Sequence, residues 1–78
     1  MIVWVSVRGS EYEGFSILGV YDSYGAAMIG AEARGWYEAS YVGWKGDSEN
    51  GWTNDVVPLE GMTESDLYIA VWPYPVQH

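Results

Sequence analysis

The residues of this chain that could do chemistry are mostly carboxylates. The 78 residues contain 11 Asp and Glu, against three Lys and Arg and one His. Glu11 lies close to Glu13 in sequence, and a second group consists of Asp47, Glu49 and Asp55. Two carboxyl groups that converge in a cleft can serve as acid and base when one of them has a raised pKa. Neither group has a spacing diagnostic of such a site, so a carboxylate hydrolase is only the enzymatic alternative.

Other catalytic and metal-binding patterns are missing from the sequence. There is no Cys, which removes thiolate nucleophiles and Cys-based metal sites, and segment 47–55 lacks the alternating ligands and closing Glu of a calcium loop. His78 is the only imidazole and stands at the end of the sequence, where a frayed chain makes a poor base. Lys45, the only lysine, sits among turn formers. We therefore predict a protein that is not an enzyme, with no catalytic residue, no metal and no cofactor.

The charge and hydropathy patterns narrow the class of partner. The formal net charge is −8, which opposes direct binding to phosphate backbones and to anionic lipid surfaces. The apolar run near the start of the sequence is too short for a signal segment or a membrane span. We predict a soluble, cytoplasmic protein that binds neither nucleic acid directly nor a membrane.

The elements of the first half are indicated by residue periodicity and by cap residues. Residues 2–7 alternate as a strand, and a polar loop leads to a second strand at 15–21. Residues 22–23 can cap a helix at Tyr24–Arg34, with Gly35 as its C′ residue. Because the helix is rich in Ala and Gly, it could lie close to a sheet.

The second half of the sequence indicates further strands. Residues 36–44 and 52–59 can form a hairpin closed by the turn formers at 45–51, and residues 67–72 form a strand that the prolines at 73 and 75 would end. Residues 1–78 are therefore predicted to be a single small α+β domain. It has a ββα start followed by two or three strands, with one helix packed on an antiparallel sheet.

The sheet face away from the helix is predicted to be aromatic. We expect it to carry Ile2, Trp4 and Ser6 of the first strand, together with Tyr68 and Trp72. Such a face is either covered by the segment 36–59 or left open for a partner.

The dipeptide Gly-Trp occurs three times at even intervals in the sequence. The flanking residues do not match, so no structural repeat is indicated. Five Trp and seven Tyr exceed the need of a small core. Trp44 and Trp52 could pair across the hairpin, stack on a sugar, or form an exposed binding surface ringed by acidic residues that steer a basic partner. The residues predicted to bind are Trp36, Tyr41, Trp44, Trp52, Asp47, Glu49 and Asp55.

Two short motifs and the helix after them resemble a known group of proteins. The motifs are Tyr12-Glu13-Gly14 and the segment 17–23, ILGVYDS. The series is similar to small proteins of bacteriophages and bacteria that open with a strand, a YEG-like loop, a GV[FY]-x-S strand end and a helix. The resemblance covers about residues 2–34 and 67–72. It implies a ββα-start α+β fold and a phage or prophage origin, and it brings no catalytic residues.

The function that these patterns favour is a non-enzymatic accessory protein that binds one host protein through an aromatic, acidic surface. Small acidic phage proteins often act in this way, so the resemblance points to the same class. Two alternatives stay open. One is an acidic nucleic-acid mimic that inhibits a DNA-binding or CRISPR-type protein. The other is a self-assembling protein, in which Trp4, Tyr68 and Trp72 are buried in a homodimer.

Overall fold

The computed structural model describes residues 1–36, 39–57 and 66–76. Within these ranges the α+β class is confirmed, with one helix packed on an antiparallel sheet. The strand bounds differ in detail from the predicted ones. In chain order, the elements are β1 (Ile2–Ser10), β2 (Gly14–Tyr21), α1 (Tyr24–Arg34), β3 (Ser40–Asp47), β4 (Gly51–Val57) and β5 (Leu67–Pro75).

The five described strands form one sheet in the order β2-β1-β5-β4-β3, and every neighbouring pair is antiparallel. β1 and β5 pair along their whole length, from Ile2 opposite Pro75 to Ser10 opposite Leu67. Short turns at 11–13 and 48–50 add β2 on one side and close the β3–β4 hairpin on the other. The centre of the sheet is therefore made of strands that are far apart in sequence.

The helix lies very close to the sheet. It begins where the Ser23 hydroxyl accepts the backbone N–H of Ala26 at 3.2 Å, which satisfies a free donor of the first turn. Its inner face is formed by Ala27 and Ala31, which are fully buried. These short side chains allow the Ser6 hydroxyl of β1 to donate to the carbonyl of Ala27 at 2.6 Å. A strand side chain thus reaches the helix backbone directly.

Two glycines make room for one aromatic ring beside this contact. The ring of Tyr21, at the end of β2, lies between Gly19 and Gly30. A Cβ atom on Gly19 would lie 3.0 Å from the ring, and one on Gly30 would overlap with the Tyr21 hydroxyl. A glycine inside a helix lowers stability by about 1 kcal/mol relative to alanine. Here the absence of a side chain at Gly30 lets the Tyr21 ring pack under α1.

The assignment of β1 residues to sheet faces was wrong. We call the sheet face away from the helix the open face. Trp4 and Ser6 do not lie on it but point toward α1, where Trp4 belongs to the core with Ala27, Ala31, Ile69 and Val71. The small inner face of the helix leaves space for the Trp4 ring. Strand alternation separates two sets of residues but does not say which set meets the helix.

Tyr68 and Trp72 do lie on the open face, as expected. They alternate along β5 with the core residues Ile69 and Val71, and they are opposite Gly9 and Val5 of β1. The Tyr68 ring covers Gly9, where a Cβ atom would lie 2.7 Å from the Tyr68 hydroxyl.

The two prolines of β5 do not end the strand, contrary to the prediction. Pro73 and Pro75 remain paired with Trp4 and Ile2 of β1. The ladder between β4 and β5 ends at Val71, so beyond that point β5 has only β1 as a neighbour among the described strands. A residue without an N–H is tolerated in a strand that has a free edge.

Gly35 ends α1 for a different reason from the predicted one. Its φ of −72° is not left-handed, so it is not a C′ glycine of the usual kind. It is buried, and a Cβ atom would lie within 2.8 Å of Ala31 O, Tyr41 Oη and Ile69 Cγ2. Close packing requires the glycine.

The second hairpin also differs from its prediction. β3 begins at Ser40 and runs through Asp47, into the segment 45–51 that was expected to be a turn. Residues 37–38 and 58–59, which the predicted strands include, lie outside the described residues.

Replacing each of the two glycines of α1 by alanine should have opposite effects on stability, because Gly25 is exposed and Gly30 is packed against Tyr21. Gly25→Ala should raise the free energy of unfolding by about 0.5–1 kcal/mol, because no atom lies within 4 Å of the new Cβ. Gly30→Ala should lower it by about 1–2 kcal/mol, because displacing Tyr21 outweighs the gain in helix propensity. Urea unfolding of both variants measures this, and a stabilising Gly30→Ala would contradict the packing described.

Candidate functional site

The predicted binding aromatics lie on the helix side of the sheet. All four are half-buried and pack against the core; they are Trp36, Tyr41, Trp44 and Trp52. Trp52 is opposite Val71 and Trp44 is opposite Asn54, so both project toward the face that α1 covers. The two tryptophans share a face of the hairpin without being directly opposite each other.

Three of these four aromatics, Trp36, Tyr41 and Trp44, use their polar side-chain atoms in hydrogen bonds within the protein. Trp36 Nε1 donates to the carbonyl of Tyr68 at 3.0 Å, and the Arg8 guanidinium lies 5.3 Å from the Trp36 ring centre. Trp44 Nε1 donates to a carboxylate oxygen of Glu32 on α1 at 2.9 Å. Trp52 Nε1 is buried and has no hydrogen-bond partner among the described residues. Their role in binding a partner stays a prediction.

The predicted acidic residues are divided between two places. Asp47 organises the β3–β4 turn, because one carboxylate oxygen accepts the backbone N–H of Glu49 at 2.9 Å and that of Asn50 at 2.7 Å. These bonds, first of all the one from the Asn50 backbone, hold the pKa of Asp47 below its usual value. Glu49 lies in the same turn and is exposed. Asp55 lies apart from them in β4, opposite Tyr68 on the open face.

The open face carries an apolar patch that the sequence did not single out. Phe15, Ile17 and Val20 of β2 are 53%, 64% and 60% exposed. The Phe15 ring meets Trp72 of β5 edge to face, with 4.9 Å between the ring centres and 84° between the ring planes. We call Phe15, Ile17, Val20 and Trp72 the apolar patch. Exposed apolar side chains that are contiguous mark interaction surfaces.

A groove of ≈ 530 Å³ opens on the same face beside the apolar patch. Its acidic side chains come from the β1–β2 turn, β4 and the residue before β5, and its aromatic side chains come from β5. We call it the acidic groove, and its main lining residues are Glu11, Asp55, Asp66, Tyr68 and Trp72. The backbone N–H of Glu11 donates to the carbonyl of Asp66 at 3.3 Å, which ties the turn to the start of β5.

The acidic groove is suited to positively charged organic groups. Three acidic residues line the groove and create a negative potential, and aromatic residues such as Tyr68 and Trp72 can attract cations through their ring quadrupoles. Lys and Arg side chains carry both a charge for the carboxylates and an aliphatic stem for the rings. Among the residues described, no group of three or more His, Cys, Asp and Glu is placed to hold a metal ion.

Sequence reasoning found Asp55, Tyr68 and Trp72 but did not combine them, and it missed the apolar patch. The reason lies in β2, where the register with β1 shifts so that Gly19 is opposite Ser6 while Ile17 is opposite Val7. Leu18 is the extra residue of this bulge. Phe15, Ile17 and Val20 consequently share a face although strict alternation separates Val20 from the other two.

No protein-family model, no curated protein and no solved structure matches the chain. Within the described ranges, no helix has the length and apolar character needed to cross a membrane.

The indole N–H groups of Trp36, which is bonded, and of Trp52, which has no partner among the described residues, give a test of the helix-side packing. Trp36→Phe should lower the free energy of unfolding by about 1–2 kcal/mol, because it removes the bond to Tyr68 O. Trp52→Phe should change it by less than about 1 kcal/mol, because the lost ring contacts are offset when an unpaired buried donor is removed. Urea unfolding compares the two, and equal losses would contradict the different hydrogen bonding of the two rings.

The Asp47 carboxylate should make the β3–β4 turn sensitive to acid. Its pKa is lower in the folded than in the unfolded chain, so its stabilising effect is complete above the unfolded pKa and is lost as the pH falls through the folded pKa. We expect Asp47→Ala to lower Tm at neutral pH and to have little effect in strong acid. An NMR titration of the Asp47 carboxyl measures the pKa directly.

Glu49→Ala is the matched control for the turn, because no hydrogen bond of the Glu49 side chain is found among the described residues. It should leave Tm unchanged at both pH values. An Asp47→Ala effect that is the same in acid and at neutral pH would show that the carboxylate charge is not involved.

Proposed function

We propose that this chain is a non-enzymatic protein-binding domain that holds a basic segment of a partner protein in the acidic groove. The observation that carries the proposal is a groove on the open sheet face that three acidic and two aromatic residues line. The class of protein is the one predicted from the sequence, but the proposed binding site lies on the open face and not on the helix side of the sheet. Asp55 remains a binding residue, while Tyr68 and Trp72 take the role that was predicted for the aromatic residues Trp36, Tyr41, Trp44 and Trp52.

Charge complementarity defines the partner. The chain has a net charge of −8, so a cationic segment is attracted over a long range and then meets carboxylates at the groove itself. The aromatic walls favour Lys or Arg side chains over a bare cation, because the side-chain stems bury against the rings. The adjoining apolar patch offers contact area for apolar residues that flank the basic segment.

The setting of the proposed function rests on the resemblance alone. The motifs YEG and GVYDS are similar to those of small phage and bacterial proteins, and the proposal therefore places the partner in a bacterial host cytoplasm. In the fold, Glu13 and Gly14 belong to the β1–β2 turn region and Ser23 caps α1, so these motif residues have structural roles of their own.

The test compares two variants that each lose three negative charges. The groove variant is Glu11→Gln/Asp55→Asn/Asp66→Asn, and Asn suits position 66 because the φ there is 59°. The control variant is Glu13→Gln/Asp22→Asn/Glu49→Gln, whose three residues are exposed and do not line the acidic groove. Both have the same net charge, so a difference between them reports the groove and not the overall potential.

Wild-type protein and both variants are immobilised and exposed to bacterial lysate, and any retained protein is purified and titrated against each of them. We expect the groove variant to bind at least about tenfold more weakly than wild type, which is about 1.4 kcal/mol, and the control variant to bind like wild type. Affinity should also fall as salt is added. A partner that binds all three equally would contradict the proposal.

A further inference from the structure

The two outer edges of the sheet are unlike each other. Among the described strands, β2 and β3 each have a neighbour on one side only. An outer strand presents unpaired N–H and C=O groups to any other strand, and monomeric proteins usually protect it with charges, bulges, glycine or proline. A difference in protection between the two edges therefore indicates which one is built to pair.

β3 is a protected edge. Gly43 and Gly46 have φ values of 143° and 141°, which interrupt a regular strand, and the register with β4 shifts between Tyr41 and Trp44. The strand also carries Lys45 and Asp47. The Asn54 side chain stabilises the interruption, because its Oδ1 accepts the Gly43 N–H at 2.7 Å. A second strand could not follow this edge over its length.

β2 has fewer of these devices, although it contains one bulge and two glycines, Gly19 and Gly14, which has a φ of 84° at the first residue of the strand. Its sequence, GFSILGVY, contains neither a charged residue nor a proline, although the chain as a whole has a net charge of −8. Its bulge at Leu18, unlike the interruption of β3, involves no residue with a positive φ. Its side chains include the exposed Phe15, Ile17 and Val20. An uncharged edge that displays apolar side chains is complementary to another strand of the same kind.

The helix does not shield the β2 edge. Gly30 lies against Tyr21 of β2, while Glu32 reaches Trp44 of β3, and these two contacts fix which side of α1 lies over which edge. The side over β2 carries Ala26, Gly30 and Ala33 at helical spacing. These side chains are too short to extend past the edge, and the residues of β2 are exposed or half-buried along the whole strand.

We propose that β2 pairs antiparallel with β2 of a second copy of this chain, which joins two five-stranded sheets into one. A second copy is the occupant because a two-fold axis needs only one self-complementary strand, and an uncharged strand has no like charges to bring together at the seam. Assembly ends at the dimer, because pairing consumes both β2 edges and leaves the protected β3 edges as the outer edges among the described strands. This dimer is separate from the acidic groove and does not depend on the proposed function.

The two-fold axis gives a definite arrangement of side chains. A register centred between Ile17 and Leu18 places Phe15 opposite the partner's Val20, so the apolar patches of both copies become continuous across the seam. Each copy keeps its own acidic groove on the same face. A dimer would thus present two grooves in a fixed relation to each other.

The test uses two lysine substitutions on exposed apolar residues of the two edges. Ile17→Lys places a charge on the β2 edge, and the two-fold axis would bring the two lysines close together. Val42→Lys is the matched control, because Val42 is 60% exposed on β3. Sedimentation velocity from micromolar to millimolar concentration gives the oligomeric state, and circular dichroism checks that each variant is folded.

We expect dimers for the wild type and for Val42→Lys, and a dissociation constant raised at least about tenfold for Ile17→Lys. Added NaCl should tighten the wild-type dimer, because it screens repulsion between two acidic chains while β2 itself carries no charge. The acidic groove has the opposite salt dependence, so the two kinds of binding are distinguishable.

Hydrogen exchange of the wild type tests the seam without any variant. Backbone amides of β2 that point away from β1 should exchange quickly in dilute solution and slowly at high concentration. A wild-type protein that stays monomeric at millimolar concentration would overturn the proposal. So would a dimer that Ile17→Lys leaves intact, a dimer that salt dissociates, or growth into higher oligomers.

Discussion

One short helix has to cover a five-stranded sheet, and most of the structure depends on how this is achieved. α1 has 11 residues, which gives a cylinder about 16 Å long and about 10 Å wide. Five strands about 4.8 Å apart need cover over about twice that width. Ala27 and Ala31 bring the helix down onto the middle of the sheet, and the remaining width is covered by aromatic rings around it. Four of the five tryptophans serve this purpose; they are Trp4, Trp36, Trp44 and Trp52.

The same constraint explains why the polar contacts lie where they do. Because the helix lies on the sheet through alanines, the short Ser6 side chain reaches the helix backbone and donates to the carbonyl of Ala27. Around the helix, the Trp36 and Trp44 indoles pack on the core while their N–H groups bond to Tyr68 O and Glu32. At the first turn of the helix, Tyr24 lies between Trp4 and Trp52, with ring centres 5.4 and 5.9 Å away. Covering one face in this way uses most of the large rings and leaves the other face with few.

The sequence predicted the helix to the residue and the fold class correctly, because Ser23, the alanines and Gly35 are local signals. It could not assign the faces of β1, because alternation is symmetric until the partner of each face is known. The continuation of β5 through Pro73 depends on where β4 ends, which is a property of the whole sheet. The acidic groove combines residues from the β1–β2 turn, β4 and the start of β5, and only the strand order brings them together. The apolar patch was not predicted either, because the bulge at Leu18 places Val20 on the same face as Phe15 and Ile17, which strict alternation does not allow.

The pairing of β1 with β5 also affects when the protein can fold. The two strands at the centre of the sheet are the first and the last in chain order, and Met1 O accepts the backbone N–H of Val76 at 2.8 Å. The β1–β2 hairpin and α1 can form early, but the core under the helix lacks Ile69 and Val71 until β5 arrives. A chain leaving the ribosome therefore carries an unfinished sheet until almost all of these residues have been synthesised. Such long-range closure makes folding slow for a domain of this size, and it makes the nascent chain dependent on protection from aggregation.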